Sequence, residues 1–233
     1  MMRVLSSVTS IFVVALLAVV VLPAPAAEAQ IGSGPFEKIQ PGVRITTSAG
    51  SCTLNFIFDG ANGKVYAGTA AHCVSDVGEK IDIWGFPDFG TVVYDDDART
   101  DFALLEIDTK YHADVDPAVK GHSGFPTGHT LRTQTSLGDH VRFSGYGMVY
   151  DRTTTTQEER IGALFSDDSD SYRLYGPTIF GDSGGPVMHD KTGKALGIVS
   201  AISLITGMTV GPTVEGILAR LSGAGYDVTL RTV

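Results

Sequence analysis

The sequence predicts an all-β protein with one late helix, and three observations carry that prediction. Glycine is abundant, at 28 residues, while only 18% of the 233 residues are charged; that balance favours many short strands joined by turns over a helical bundle. Beyond residue 30 the apolar residues fall in short or alternating segments punctuated by Gly, Asn, Asp and Pro, as strands and turns require. Helical spacing occurs once, where Val214, Ile217, Leu218 and Leu221 follow i, i+3, i+4, i+7.

The first 29 residues stand apart. Arg3 gives a positive start, Ile11 to Leu22 is an unbroken apolar run, Pro23 and Pro25 end it, and Ala27-Glu28-Ala29 has the small–x–small pattern of a signal-peptidase site. A secretion signal over 1–29 is expected, since the run falls short of the roughly 20 residues that span a bilayer. Residues 30–233 then form the mature domain. Strands are expected at Val43–Ala49, Cys52–Phe58, Lys64–Ala67, Lys80–Trp84, Gly90–Tyr94, Phe102–Ile107, Val141–Ser144, Gly147–Tyr150, Tyr172–Tyr175, Pro186–His189 and Ala195–Ser203. Asp59–Gly63 suits a tight hairpin turn, and Lys110–Thr130 reads as a long link between two halves. The helix runs over about 213–223, opened by Gly211-Pro212-Thr213 and closed by Gly223 or Gly225. Tyr226–Val233 alternates weakly, as a last strand would.

Charge and cysteines narrow the function. The net charge is −9, and the leader carries one charge of each sign, so the mature chain is equally acidic. Nucleic acid and anionic membranes are poor partners for such a surface. Asp95–Asp97 and Asp167–Asp170 are the densest acidic runs; without recurring ligand spacing they read as solvated loops rather than a calcium site. His112, His122, His129, His140 and His189 show no metal spacing and read as surface or loop residues. The two cysteines, Cys52 and Cys73, are expected to form one disulfide in an oxidising compartment, worth about 3 kcal/mol for its loop; two free thiols are the alternative. Because Cys73 follows His72, such a bridge would also fix the histidine.

Three segments carry chemistry. Thr69-Ala70-Ala71-His72-Cys73 presents a histidine after small residues. Asp101-Phe102-Ala103-Leu104-Leu105 sets a carboxylate at the start of an apolar strand, and Gly181-Asp182-Ser183-Gly184-Gly185-Pro186 surrounds a serine with glycines. Hydrolysis of an amide by serine needs these parts: a nucleophile, a base, a carboxylate to orient the base, and backbone donors for the oxyanion. Glycines let those backbone donors approach the substrate. Singly, each residue has a structural reading, as a core histidine, a strand-end cap or a turn serine; jointly they point to a hydrolytic centre.

In these segments, and in Gly197-Ile198-Val199-Ser200 downstream, the chain resembles the chymotrypsin-like serine protease family in its bacterial, actinomycete-type branch. The order His, Asp, Ser differs from that of subtilisins and α/β-hydrolases, and the resemblance covers roughly residues 40–210. It implies two packed antiparallel six-stranded β-barrels, at about 40–115 and 130–210, with the triad His72, Asp101 and Ser183 in the cleft between them. It implies Gly181 and Ser183 as oxyanion donors, and Pro177, Phe180, Ser200, Ala201 and Ile202 around the pocket for the residue before the cut. A secreted, monomeric endopeptidase acting on polypeptides follows, with no metal or cofactor and no stable membrane association after signal cleavage.

The departures are informative. Animal members pair the aspartate before the serine, here Asp182, with a new N-terminus; Ile31–Gly34 and Ile39–Gly42 are only loose echoes of that motif. A buried Asp182 needs another cation; the resemblance to the bacterial branch implies an internal arginine, for which Arg142 is the candidate, with a simply exposed Arg142 as the alternative. Pro177 stands where trypsin-like members have an aspartate, and Ala201-Ile202 replaces the usual aromatic and glycine. A small or medium apolar residue before the cut is therefore expected, rather than Lys or Arg. A catalytically silent binding module on the same fold, and an esterase using the same triad, are the competing readings.

Overall fold

The structure is a computed structural model that describes residues 35–146, 158–203 and 205–233. The expected signal sequence, the Ile31–Gly34 echo and the strand at Gly147–Tyr150 lie outside these residues. The described chain is antiparallel β-structure in two sheets with one α-helix.

The first sheet contains β1 (Arg44–Thr47), β2 (Gly50–Thr53), β3 (Ile57–Gly60), β4 (Val65–Thr69), β5 (Lys80–Ile83), β6 (Phe86–Asp96) and β7 (Phe102–Ile107). The second contains β8 (His140–Gly145), β9 (Glu158–Asp167), β10 (Ser171–Tyr175), β11 (Pro186–His189), β12 (Lys194–Ile198), β13 (Ala201–Ile202) and β14 (Met208–Pro212). Helix α1 (Val214–Gly223) follows, and β15 (Val228–Leu230) returns to pair with β3. The spatial orders are β15-β3-β4-β7-β6-β5-β1-β2 and β12-β11-β8-β9-β10-β14-β13. The expected six strands per half thus become eight and seven, and the C-terminal segment belongs to the first sheet, where Arg231 also pairs with Asp59.

The core explains the apolar run Phe102–Leu105 that opens β7. Successive side chains alternate faces: Ala103 and Leu105 enter the core of the first sheet, while Phe102 and Leu104 enter a cluster shared with Met188 and Ile198 of the second sheet and Ile217 and Leu221 of α1. A third cluster, including Val141, Phe143, Tyr172 and Val187, fills the second sheet. Thr213 caps α1, its hydroxyl accepting from the Gly216 N–H at 3.0 Å.

Two expected strands are broken, each for a hydrogen-bonding reason. The Cys52–Phe58 segment leaves β1 after Thr53: Leu54 still donates to Val43, but Asn55 donates to Gly68, so the chain changes partner before β3. The Ala195–Ser203 segment is interrupted because Val199 bonds the serine loop instead, its N–H donating to Gly185 and its carbonyl accepting from Gly184. Strands β9 and β14 were not expected; charges at Glu158–Arg160, and Gly211-Pro212, mask their alternation. The Asp59–Gly63 turn contains a single 3-10 turn at Ala61–Gly63. His189 is buried rather than surface-exposed, held between Thr192 and Asp139 at 2.8 and 3.1 Å, and His122 is also buried.

Candidate active site

His72 sits on a 3-10 turn, Ala71–Cys73, that follows β4 directly. The Cys52–Cys73 disulfide ties this turn to β2, with Cα atoms 6.2 Å apart. Asp101 stands at the mouth of β7 with φ +47°, a left-handed conformation costing an L-residue roughly 1–2 kcal/mol. The Asp101 N–H donates to Asp96 at 2.9 Å and closes the turn before β7. This geometry turns the carboxylate onto His72. The imidazole Nδ1 lies 2.9 Å from Oδ2 and 3.0 Å from Oδ1, and the His72 backbone N–H donates to Oδ1 at 3.0 Å.

The Ser200 hydroxyl donates to Asp101 Oδ2 as well. The sequence points to Ser200 as a pocket residue; the structure shows that its hydroxyl also braces the carboxylate. Hydrogen bonding to Asp101 raises the proton affinity of His72 above the ordinary imidazole value, against a smaller opposing effect of burial. Burial alone would raise the Asp101 pKa, but the bonds from His72 and Ser200 together bring it below the usual carboxylate range. With Nδ1–H donated to Asp101, Nε2 is the free basic position of the ring.

Ser183 lies against the same turn through its backbone. Its carbonyl accepts from the Thr53 N–H at 2.9 Å and sits 3.9 Å from Cys73 Sγ. Thr53 is a junction: its hydroxyl donates to the Gly181 carbonyl at 2.9 Å and accepts from the Tyr146 N–H at 3.1 Å, and its carbonyl accepts from the Thr69 hydroxyl at 3.0 Å. Gly181 has φ +100° and Gly184 φ +85°. A Cβ on Gly184 would come within 2.3 Å of the Thr53 carbonyl oxygen and 2.4 Å of Thr69 Oγ1, so only glycine fits there. The N–H groups of Gly181 and Ser183 donate to no acceptor among the described residues.

Asp182 is fully buried, and its partner corrects the sequence reading. Arg160, not Arg142, meets it: Nη2 donates to Oδ1 at 2.7 Å and Nη1 to Oδ2, while the Ile179 N–H donates to Oδ2 at 2.8 Å. Arg160 also donates to the Pro177 carbonyl at 3.1 Å and stacks 5.3 Å from the Phe143 ring centre. Arg142 is bound by Glu159 and Asp190. The reason is strand parity. Phe143 of β8 faces Arg160 of β9, while Arg142 pairs with Ile161, so Arg160 shares the inward face of buried Phe143 and Arg142 points the other way. Nothing local in the sequence distinguishes them, because β9 itself was not recognised.

Around the expected pocket, Ala201 and Ile202 form β13, paired with Val210 and Thr209 of β14. Thr178, next to Pro177, joins its hydroxyl to that of Thr209, both side chains being buried. Phe180 is 69% exposed. His72, Cys52 and Cys73 place three ligand-type atoms close together, but both sulfurs are in the disulfide.

Residues 55–198 match the trypsin-like peptidase domain family, which is more than half of the chain. The chain belongs to this family. No curated protein matches it. Among solved structures it is similar to Thermobifida fusca protease A, with 22% identity, a TM-score of 0.64, and coverage of 84% of this chain and 100% of that one. Nocardiopsis protease gives 20%, 0.63, 84% and 100%, and Cellulomonas bogoriensis chymotrypsin 21%, 0.58, 84% and 100%. These likenesses establish the chymotrypsin-like fold.

Proposed function

We propose that this peptidase is a secreted serine endopeptidase in which Ser183 is the nucleophile, His72 the base and Asp101 its orienting group. The observation that carries the reading is the Asp101 carboxylate, which takes the His72 ring, the His72 backbone and the Ser200 hydroxyl at once. A carboxylate held this way fixes the tautomer that leaves Nε2 basic. Ser183 Oγ attacks the peptide carbonyl and passes its proton to Nε2. The oxyanion develops toward the Gly181 and Ser183 N–H groups, each such donor being worth about 3–4 kcal/mol to the transition state. His72 then returns the proton to the leaving amine, and water releases the acyl group by the same route.

The pocket residues support a small or medium apolar side chain before the cut. The Thr178–Thr209 hydroxyl contact ties the segment after Pro177 to the strand that pairs with Ile202. Pro177 brings no charge, and Ile202 narrows the mouth. Secretion is supported by the leader pattern and by the disulfide. The test is labelling with a serine-directed covalent inhibitor and mapping of the adduct. A single adduct on Ser183, absent from His72→Ala, is expected; a folded chain that takes no label would favour the silent binding module. Peptide-library profiling checks the pocket, and dominant cleavage after Arg or Lys would refute the apolar assignment.

A further inference from the structure

A cavity of about 430 Å³ opens beside Asp101, walled by the turn before β7, by β10 and β14, and by helix α1. Its lining is rich in guanidinium groups: Arg99 from the turn, Arg173 from β10 and Arg220 from α1. Two carboxylates, Asp101 and Asp170, also line it. Asp101 is already engaged by His72 and Ser200, and the Asp170 carboxylate lies 4.0 Å from Arg220.

Arg99 and Arg173 have no carboxylate within ion-pair distance among the described residues, in a chain with 26 acidic and 17 basic residues. By contrast Arg132, Arg142, Arg160 and Arg231 each hold one. Arg173 acts electrostatically on Asp168 without an ion-pair contact, so two arginines that make no ion pair among the described residues line one cavity, whose lining carries three positive and two negative groups although the whole chain is −9. Like charges brought together repel unless an anion joins them. The planar guanidinium fork matches a carboxylate, phosphate or sulfate with two parallel hydrogen bonds, and the cavity volume is that of a small-molecule site.

We propose that this cavity binds an oxyanion, gripped by Arg99 and Arg173 and completed by Arg220. The group can come from a free anion or from an acidic side chain of a bound peptide. The second source rests on the endopeptidase reading above; the first does not.

The experiment has two arms on the full chain. In the first, the melting temperature is measured during a titration with inorganic phosphate, sodium chloride holding the ionic strength constant so that general screening is unchanged. Specific binding predicts a saturable rise, roughly 3–6 °C at ten times the dissociation constant. The rise should be lost in Arg99→Gln/Arg173→Gln and kept in Arg132→Gln, an exposed charge outside the cavity. The second arm compares kcat/KM for matched peptides carrying Glu or Gln at successive positions before the cut. A preference for Glu of tenfold or more at one position, abolished by the double substitution, assigns the anion to the substrate. A phosphate response that survives the double substitution, or no response in either arm, overturns the proposal. A chain that binds phosphate but cleaves no peptide would fail the endopeptidase reading and leave the oxyanion site standing.

Discussion

The two sheets hold their shares of the candidate centre by different means. His72 and Asp101 stand on the first sheet, where a disulfide, a short 3-10 turn and the buried run of β7 fix them locally. Ser183 and the glycines around it precede β11 of the second sheet, and there hydrogen bonds from Thr53 and Val199 are joined by one buried ion pair, Asp182–Arg160, contributed by residues 22 positions apart. The first arrangement is made of many small constraints. The second adds to its long-range hydrogen bonds a buried charged contact, which is costly to leave half-made. The candidate centre is thus held on one side by local restraints and on the other by contacts between distant segments.

Five variants break or sharpen this contrast. Ser183→Ala should lower kcat by about a millionfold while the melting temperature stays near wild type, as measured by turnover of a peptide substrate and thermal unfolding. Asp101→Asn should cost about ten-thousandfold in kcat by losing the correct imidazole tautomer. It also tests the pH dependence. His72 acts as base only when neutral, and its proton affinity is raised by Asp101, so wild-type kcat/KM should fall on acidification with a midpoint above the ordinary imidazole value of 6.5. In Asp101→Asn that midpoint should move down, and an unmoved limb would mean that another group controls it.

Arg160→Met comes next. It strands the Asp182 carboxylate in the interior and should destabilise the fold by about 3–5 kcal/mol, measured by denaturant unfolding, with a loss of kcat as the oxyanion loop relaxes. Arg142→Ala, on the other face of the hairpin, should cost no more than about 1 kcal/mol. Equal effects would erase the distinction between the two arginines. Cys52→Ser/Cys73→Ser should cost about 3 kcal/mol from the freed loop, at the low end of the range for Arg160→Met. Because the first half is held redundantly, its kcat at temperatures well below melting should fall less than that of Arg160→Met.

The sequence disclosed these two halves unequally, for the same reason. The residues around His72 and Asp101 are held by neighbours in the chain, so Cys73 beside the histidine and the apolar run after the aspartate are both visible in one dimension. The glycines around Ser183 are equally local, and Gly184 does fill a space that no side chain could enter. The partner of Asp182 is a matter of which face of β9 looks inward, and parity cannot be read across a hairpin whose second strand hides behind charged residues. The bracing of Asp101 by Ser200 is another long-range contact, between residues 99 positions apart. The breaks after Thr53 and at Val199 escaped notice because apolar residues continue through both; only the backbone partners change.

Thr53 gives the two halves a common fate. A residue of the disulfide-bearing strand holds the carbonyls of Ser183 and Gly181 and the N–H of Tyr146, all from the second half of the chain. Three hydrogen bonds through one side chain and its amide act as a rivet: the sheets cannot part here without releasing the peptide of Ser183 itself. Loosening of the second sheet must then draw on the stability of the first, and the disulfide's restraint reaches, through a threonine, to a loop with no cysteine of its own.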